Sequence, residues 1–133
     1  MTQIFAQEQE EASGERLLWP WLEEACGRGR MDRAWVKHPG FRALYVRYIP
    51  ERHVVGYGRI APVLDLASME VESPRRGTLR CLVGDLREAY PSLALYVESV
   101  SDVKGLGRGL VRMGFREVNR IGDISANYLW RLP

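Results

Sequence analysis

Few of the features that would assign a chemistry outright are present in this chain of 133 residues. Cysteine is scarce: Cys26 and Cys81 have neither metal-ligand spacing nor a histidine close by in sequence. Two reduced, packed thiols are therefore expected rather than a disulfide or a metal centre. Lysine is rarer than the charge count suggests. Lys37 and Lys104 are the only ones among 19 basic residues, and the rest are arginines. The net charge of +2 is too small to predict a specific nucleic-acid partner. No apolar run approaches the roughly 18 residues of a membrane span. The start, MTQIFAQEQEEASGE, is acidic and has no apolar leader core, so a cytoplasmic protein with no membrane partner is expected. Neither a Ser/His/Asp pattern nor a metal-ligand cluster appears, and GLGRG at Gly105 does not follow a strand as a dinucleotide-binding fingerprint would.

What is present organises around residues 63–84, VLDLASMEVESPRRGTLRCLVG. An aliphatic run stops at Ser73-Pro74, turns through Arg75-Arg76-Gly77 and resumes with helical periodicity. This strand, basic turn and helix start aim free backbone N–H groups and the positive helix end past the strand tip, which suits an anion and phosphate above all.

The flanking segments fill out one domain, with residues 1–40 helical or variable and 41–133 forming the core. Residues 4–15 read as either a first strand or a helix. In 15–27 Leu18, Trp21, Leu22 and Ala25 share a helical face, with Pro20 as a kink or a first-turn residue and Gly27 and Gly29 closing the helix. The basic stretch Arg28, Arg30, Arg33, Lys37 and His38 around Trp35 reads as a solvated helix face or loop, with a patch for an anionic partner as the alternative. Residues 41–49 form a strand, Pro50-Glu51-Arg52 a turn, and 53–61 its hairpin partner; 63–72 then completes an antiparallel meander. Residues 77–89 are an amphipathic helix with Leu79, Leu82, Val83 and Leu86 inward. Strand 92–100 follows it and is expected to lie parallel to 63–72 through a right-handed crossover. Ser101 or Asp102 caps a helix over 103–113 whose glycines 105, 107 and 109 each cost about 1 kcal/mol against alanine. Close packing or a bound ligand should compensate. Two last strands, 115–119 and 127–132, flank a turn at Gly122-Asp123. Asp65, between leucines, is a buried-polar candidate that accepts from a neighbouring backbone or an arginine.

The order of these elements resembles the GNAT-type N-acetyltransferases, and particular residues carry the resemblance. The acetyl-CoA motif of that superfamily runs roughly V-x-P-x-x-R-G-x-G-x-G and opens the helix after the fourth strand. Over it lies Val71-Glu72-Ser73-Pro74-Arg75-Arg76-Gly77-Thr78-Leu79-Arg80-Cys81. Val71, Arg76 and Gly77 match, the proline is displaced by one, and Leu79 and Cys81 occupy the two later glycine positions. A second motif, strand, short helix and x-G-F, is matched by 93–100 and 103–113 followed by Gly114-Phe115. The family's frequent tyrosine general acid falls on Leu110. The wording LDLASMEVESPRRG is similar to compact GNAT-like proteins common in bacteriophage genomes, a resemblance that implies a host cytoplasm or a virion as the location.

The resemblance covers residues 41–133. It implies an α/β (α+β) fold: a mixed, mostly antiparallel twisted sheet with a central parallel strand pair and flanking helices. It implies acetyl-CoA as co-substrate and a small-molecule or protein amine as acceptor. Met69 and Val71 would then hold the pantetheine arm and thioester, and Arg75, Arg76, Gly77, Thr78 and Arg80 the pyrophosphate. Glu70, Glu72 and Glu98 are the candidate bases, with Tyr96 and Tyr128 as candidate proton donors and no metal. The alternative is a GNAT-shaped interaction or structural protein, silent as a catalyst, that meets an assembly partner.

Overall fold

The computed structural model describes residues 16–74 and 76–132, so residues 4–15 and Arg75 lie outside the described part. The described residues form a mixed α+β domain: a seven-stranded, mostly antiparallel sheet, three α-helices and a separate two-stranded hairpin. The strands of the sheet are β1 (Arg16–Leu17), β2 (Asp32–Lys37), β3 (Phe41–Ile49), β6 (Val63–Val71), β7 (Ala94–Val100), β9 (Ser125–Trp130) and β8 (Arg116–Ile121), named in spatial order. Strands β4 (Arg52–Val54) and β5 (Gly58–Ile60) make the hairpin. Helix α1 spans Leu18–Arg28 and α2 spans Thr78–Ala89. A single wide π turn, Val103–Gly107, leads into the short α3, Arg108–Arg112.

Helix α1 shows why its sequence tolerates proline. Pro20 is its third residue, where backbone N–H groups have no intrahelical acceptor, so the missing donor is not felt. Leu18, Trp21, Leu22 and Ala25 are buried as their spacing predicts. Gly27 lies inside the helix. It is Gly29, at φ +65°, that ends it, its N–H bonding the Ala25 carbonyl at 3.0 Å.

Two strand assignments differ from the sequence reading. The basic stretch after α1 contains strand β2, antiparallel to β3, with Ala34 and Val36 buried between charged neighbours. Arg33 and Lys37 at outward positions, with Asp32 ahead of them, hide its alternation. Residues 53–61 do not pair with β3. Positive φ at Gly56 (+85°) and Gly58 (+76°) folds them onto residues 52–54 as their own hairpin, and β3 pairs directly with β6. The meander is thus β2–β3–β6, with the β4–β5 hairpin inserted between its last two strands.

All three helices belong to one core with Leu44, Val46, Tyr48, Leu64, Leu66, Leu95 and Val97 of the sheet. The opposite face carries a second, smaller core, in which Val54 and Ile60 of the hairpin meet Val63, Ala94, Tyr96, Val118 and Leu129. Strands β6 and β7 are parallel, as the intervening helix predicts, with Val63 opposite Ala94 and Leu66 opposite Val97. Among the described residues no helix is long and apolar enough to cross a membrane.

Candidate functional site

The site grows out of an irregularity in β6. Tyr45 faces Ser68 and Val46 faces Leu66, so Ala67 is an extra residue: a β-bulge. A bulge bends its strand and raises the local twist. Pairing of β6 with β7 stops at this point, at Leu66 opposite Val97, although β6 runs on to Val71 and β7 to Val100. The bulge also reverses the inside–outside alternation. Before it Leu64 and Leu66 face the helices; after it Met69 and Val71 do, and Glu70 turns to the other side. Strand β7 is irregular too, between Val97 and Val100, with Ser99 at φ +51° donating its N–H to Asn127 Oδ1 at 2.7 Å. Both members of the parallel pair thus leave regular pairing at the same level, and a gap opens.

A cleft of about 810 Å³ lies on the helix side of that gap. Met69 and Val71 of β6 form one wall, and Ser73, Pro74, Arg76 and Gly77 with Thr78, Leu79 and Arg80 the end. Asp102, Gly105, Leu106, Gly109 and Met113 form the other wall. The first turn of α2 opens onto it. Its N-cap is Gly77, at φ +70°, with no capping side chain and no acidic residue in the turn. The helical ladder starts with Cys81 N–H donating to Gly77 O at 2.9 Å, so the N–H groups of Thr78, Leu79 and Arg80 precede it. Arg76 and Arg80 are exposed beside them.

The facing wall explains its glycines one by one. Asp102 accepts from Gly105 N–H at 3.0 Å and Leu106 N–H at 3.2 Å, and a Cβ on Gly105 would overlap that carboxylate. Gly107 is buried, and a Cβ there would overlap the Tyr128 hydroxyl and lie 3.0 Å from its Cζ. At Gly109 a Cβ would meet nothing within 4 Å, because this glycine faces the open cleft. So two of the three glycines serve close packing within the chain, and the third borders the open cleft.

The structure gathers Met69, Val71, Arg76, Gly77, Thr78 and Arg80 around one cleft. Leu79 and Cys81, which stand at the motif's later glycine positions, do not plug the turn. Leu79 is buried in the core and Cys81 is exposed and outside the cleft lining. That leaves Cys81 unpacked, contrary to the expectation of two packed thiols; Cys26 is half-buried. Sequence reasoning misses Leu106, Asp102 and Met113 as lining residues, because only the π turn brings them across from β6.

The candidate bases do not join the cleft lining. Glu70 is exposed and pairs with Arg42 at 3.0 Å, and Glu72 is exposed. Glu98 lies with the hairpin-side cluster, where Arg47 Nη2 donates to it at 2.5 Å and to Asp65 Oδ2 at 3.1 Å. Arg52 Nη1 donates to the same Asp65 oxygen at 3.2 Å, and its guanidinium lies 4.0 Å from the Tyr96 ring centroid. Asp65 is fully buried and does accept from arginines. Burial, and then the adjoining Glu98 carboxylate, push Asp65 well above the ordinary carboxyl range despite the two cations. Burial alone would raise Glu98 as well. Its hydrogen bond with Asp65 and the charges of Arg47 and Arg52 outweigh that and hold it below the usual range. A carboxylate held ionised in this way is a weak proton acceptor. Burial raises both tyrosines; Tyr96 lies beneath Arg52, and Tyr128 lies beneath Gly107 with its hydroxyl 3.5 Å from Glu117 Oε2. Leu110 is fully buried in the core.

Among the described residues no group of His, Cys, Asp and Glu is arranged to hold a metal ion. The chain matches no family model, no curated protein and no solved structure.

Proposed function

We propose that the chain is a GNAT-type acyl-CoA-binding protein that takes acetyl-CoA in this cleft and transfers its acetyl group only slowly to an amine. The observation that carries the reading is the parting of β6 from β7 at the Ala67 bulge, directly beside the uncapped start of α2. A strand edge without a neighbour offers N–H and C=O groups to an extended amide-bearing chain, which is the chemistry of pantetheine. The Thr78, Leu79 and Arg80 N–H groups, with Arg76 and Arg80, suit a pyrophosphate. Gly109 leaves room along the opposite wall.

In the transfer itself the neutral amine nitrogen attacks the thioester carbonyl carbon. The C–N bond forms, the C–S bond breaks, and the amine proton passes to solvent while the thiolate is protonated from solvent. Positioning would supply most of the acceleration. General-acid help is typically worth 10²–10⁴-fold, and Leu110 supplies none. Asp102, the one carboxylate of the cleft lining among the described residues, is already engaged as a cap. That same observation favours the second reading, a GNAT-shaped interaction or structural protein, such as one of a bacteriophage virion, in which transfer has been lost.

Calorimetry on Arg76→Glu tests the proposal. Arg76 is exposed, so the variant should keep the wild-type melting temperature. Its affinity for acetyl-CoA should fall by at least about 100-fold, since one charge-assisted contact is worth about 1.5–3 kcal/mol and reversal adds repulsion. Equal affinity in variant and wild type would remove the pyrophosphate from this turn.

A further inference from the structure

Beyond Val97 it is β7 rather than β6 that abandons the parallel pairing. Strand β6 stays extended there and keeps its ladder with β3, with Ser68, Met69 and Glu70 opposite Tyr45, Leu44 and Ala43. Strand β7 instead places Ser99 at φ +51°, in the left-handed region. Parallel pairing needs φ of about −120°, so no ladder to β6 can pass through a residue held in that way. Among the described residues only Ser99 and Asn119 have positive φ without being glycine. Asparagine enters that region readily, whereas serine has no such preference. The Ser99 side chain is exposed, so its own packing does not impose the conformation.

Asn127 supplies what the Ser99 side chain does not. On β9 it stands opposite the irregularity: Val97 faces Tyr128 and Val100 faces Ala126, which leaves Glu98 and Ser99 against Asn127 alone. Its Oδ1 accepts the Ser99 N–H at 2.7 Å. With that oxygen engaged, its amide nitrogen is the group left to donate to the Tyr96 hydroxyl, with which Asn127 and Asn119 both hydrogen-bond. Tyr96 is itself buried beneath Arg52, so the Asn127 amide is held from both ends. The kink also has a packing consequence. Val97 and Val100, three residues apart, both face the helix-side core, while Glu98 turns to Arg47. Burial of Val100 is thus one use of the kink, and the bare edge of β6 is the other.

We propose that Asn127 is the positioning residue of the cleft: by pinning Ser99 in the left-handed region it holds β7 off β6 and keeps the β6 edge open for the ligand. The proposal rests on the acyl-CoA reading only for the identity of that ligand, since the parting of the strands belongs to the fold. Two preferences oppose each other at Ser99. Extended backbone is the ordinary choice of a serine and would give β7 new hydrogen bonds on β6, whereas the Asn127 oxygen stabilises the kink. Without Asn127 the open form becomes a minority state, and apparent affinity falls in proportion to its population. Glycine at 99 removes the dependence, because it takes positive φ at no steric cost.

NMR of the unliganded full chain tests this through cross-strand NOEs between residues 68–71 of β6 and 98–100 of β7, followed by titration with acetyl-CoA. Wild type should show none beyond the pair Leu66 and Val97. Asn127→Ala should gain them and bind acetyl-CoA at least about tenfold more weakly. Adding Ser99→Gly to Asn127→Ala should abolish the new contacts and restore affinity to within about threefold, which a mere loss of packing would not allow. Ser99→Val, at an exposed position and with Asn127 intact, should close the gap in the same way, because a β-branched residue resists positive φ. No new contacts in either Asn127→Ala or Ser99→Val would overturn the proposal, as would a double variant indistinguishable from Asn127→Ala. The contacts are read without ligand, so a wild type that binds no acetyl-CoA would remove the acyl-CoA reading and leave this test standing.

Discussion

Gly107→Leu is expected to lower the melting temperature by on the order of 10 °C, while Gly109→Leu, two residues away, leaves it nearly unchanged and blocks acetyl-CoA. The two glycines look alike in sequence and differ only in what lies beyond their Cα atoms. At Gly107 even one added carbon overlaps the hydroxyl of Tyr128, a β9 side chain that is buried in the helix-side core and has little room to retreat. Overpacking of this kind costs about 1–3 kcal/mol or more, and each kcal/mol is worth several degrees in a domain of this size. At Gly109 an added Cβ meets nothing within 4 Å, and leucine is the better helix former by a little under about 1 kcal/mol. Its side chain would instead enter the cleft opposite Met69 and Val71. Thermal melts and calorimetry on the two variants separate packing from binding. Equal loss of stability in both would contradict the geometry of the π turn.

Asp65→Ala is expected to destabilise the domain by about 3 kcal/mol, the lower end of the range for a buried charge network that loses one partner. Asp65 accepts from both Arg47 and Arg52, and Arg52 ties the hairpin to the sheet. Without it Arg47 retains Glu98, while Arg52 keeps its contact with the Tyr96 ring. Asp65→Asn should cost less, because the amide oxygen can still accept. It should also change the pH profile. The Asp65 carboxyl is raised in the fold, so its contribution is fully present below the unfolded value of about 4 and declines as pH rises through the folded value. Glu98, held low, acts in the opposite sense: its contribution is present above the unfolded value and is lost as pH falls through the folded one. Urea melts from about pH 3 to 8 should therefore show Asp65→Asn losing the decline on the alkaline side while keeping the acid-side loss. Profiles of the same shape for wild type and Asp65→Asn would show that the carboxyl is ionised as readily in the fold as in the unfolded chain.

Much of the architecture was legible because the periodicities are clean. The spacing of Leu79, Leu82, Val83 and Leu86 gives α2, and the helix-length connection gives the parallel pair. Asp65 was legible as a charge with leucines on both sides. What was not legible depends on partners distant in sequence. Strand β2 is edged by arginines that look like a solvated face until β3 supplies the other half of its pairing. The β4–β5 hairpin turns on two glycines at positive φ, and sequence alone reads them as a bulge as readily as a reversal. The bulge at Ala67 leaves no mark in composition, yet it decides that Met69 and Val71 face the helices while Glu70 faces away. The six described residues expected at the cofactor share one cleft because they follow one another along β6 and α2. The three glutamates follow from their place in the two strands that the resemblance sets beside the thioester, and the bulges in β6 and β7 disturb those strands at that level.

Amide chemical-shift mapping during a titration of the wild-type chain with acetyl-CoA tests the central claim most directly. The account predicts saturable shifts at Met69 and Val71, at Thr78, Leu79 and Arg80, and at Gly105 and Gly109, with the hairpin face around Arg52 and Tyr96 silent. No shifts at millimolar acetyl-CoA, or shifts confined to the hairpin face, would contradict it.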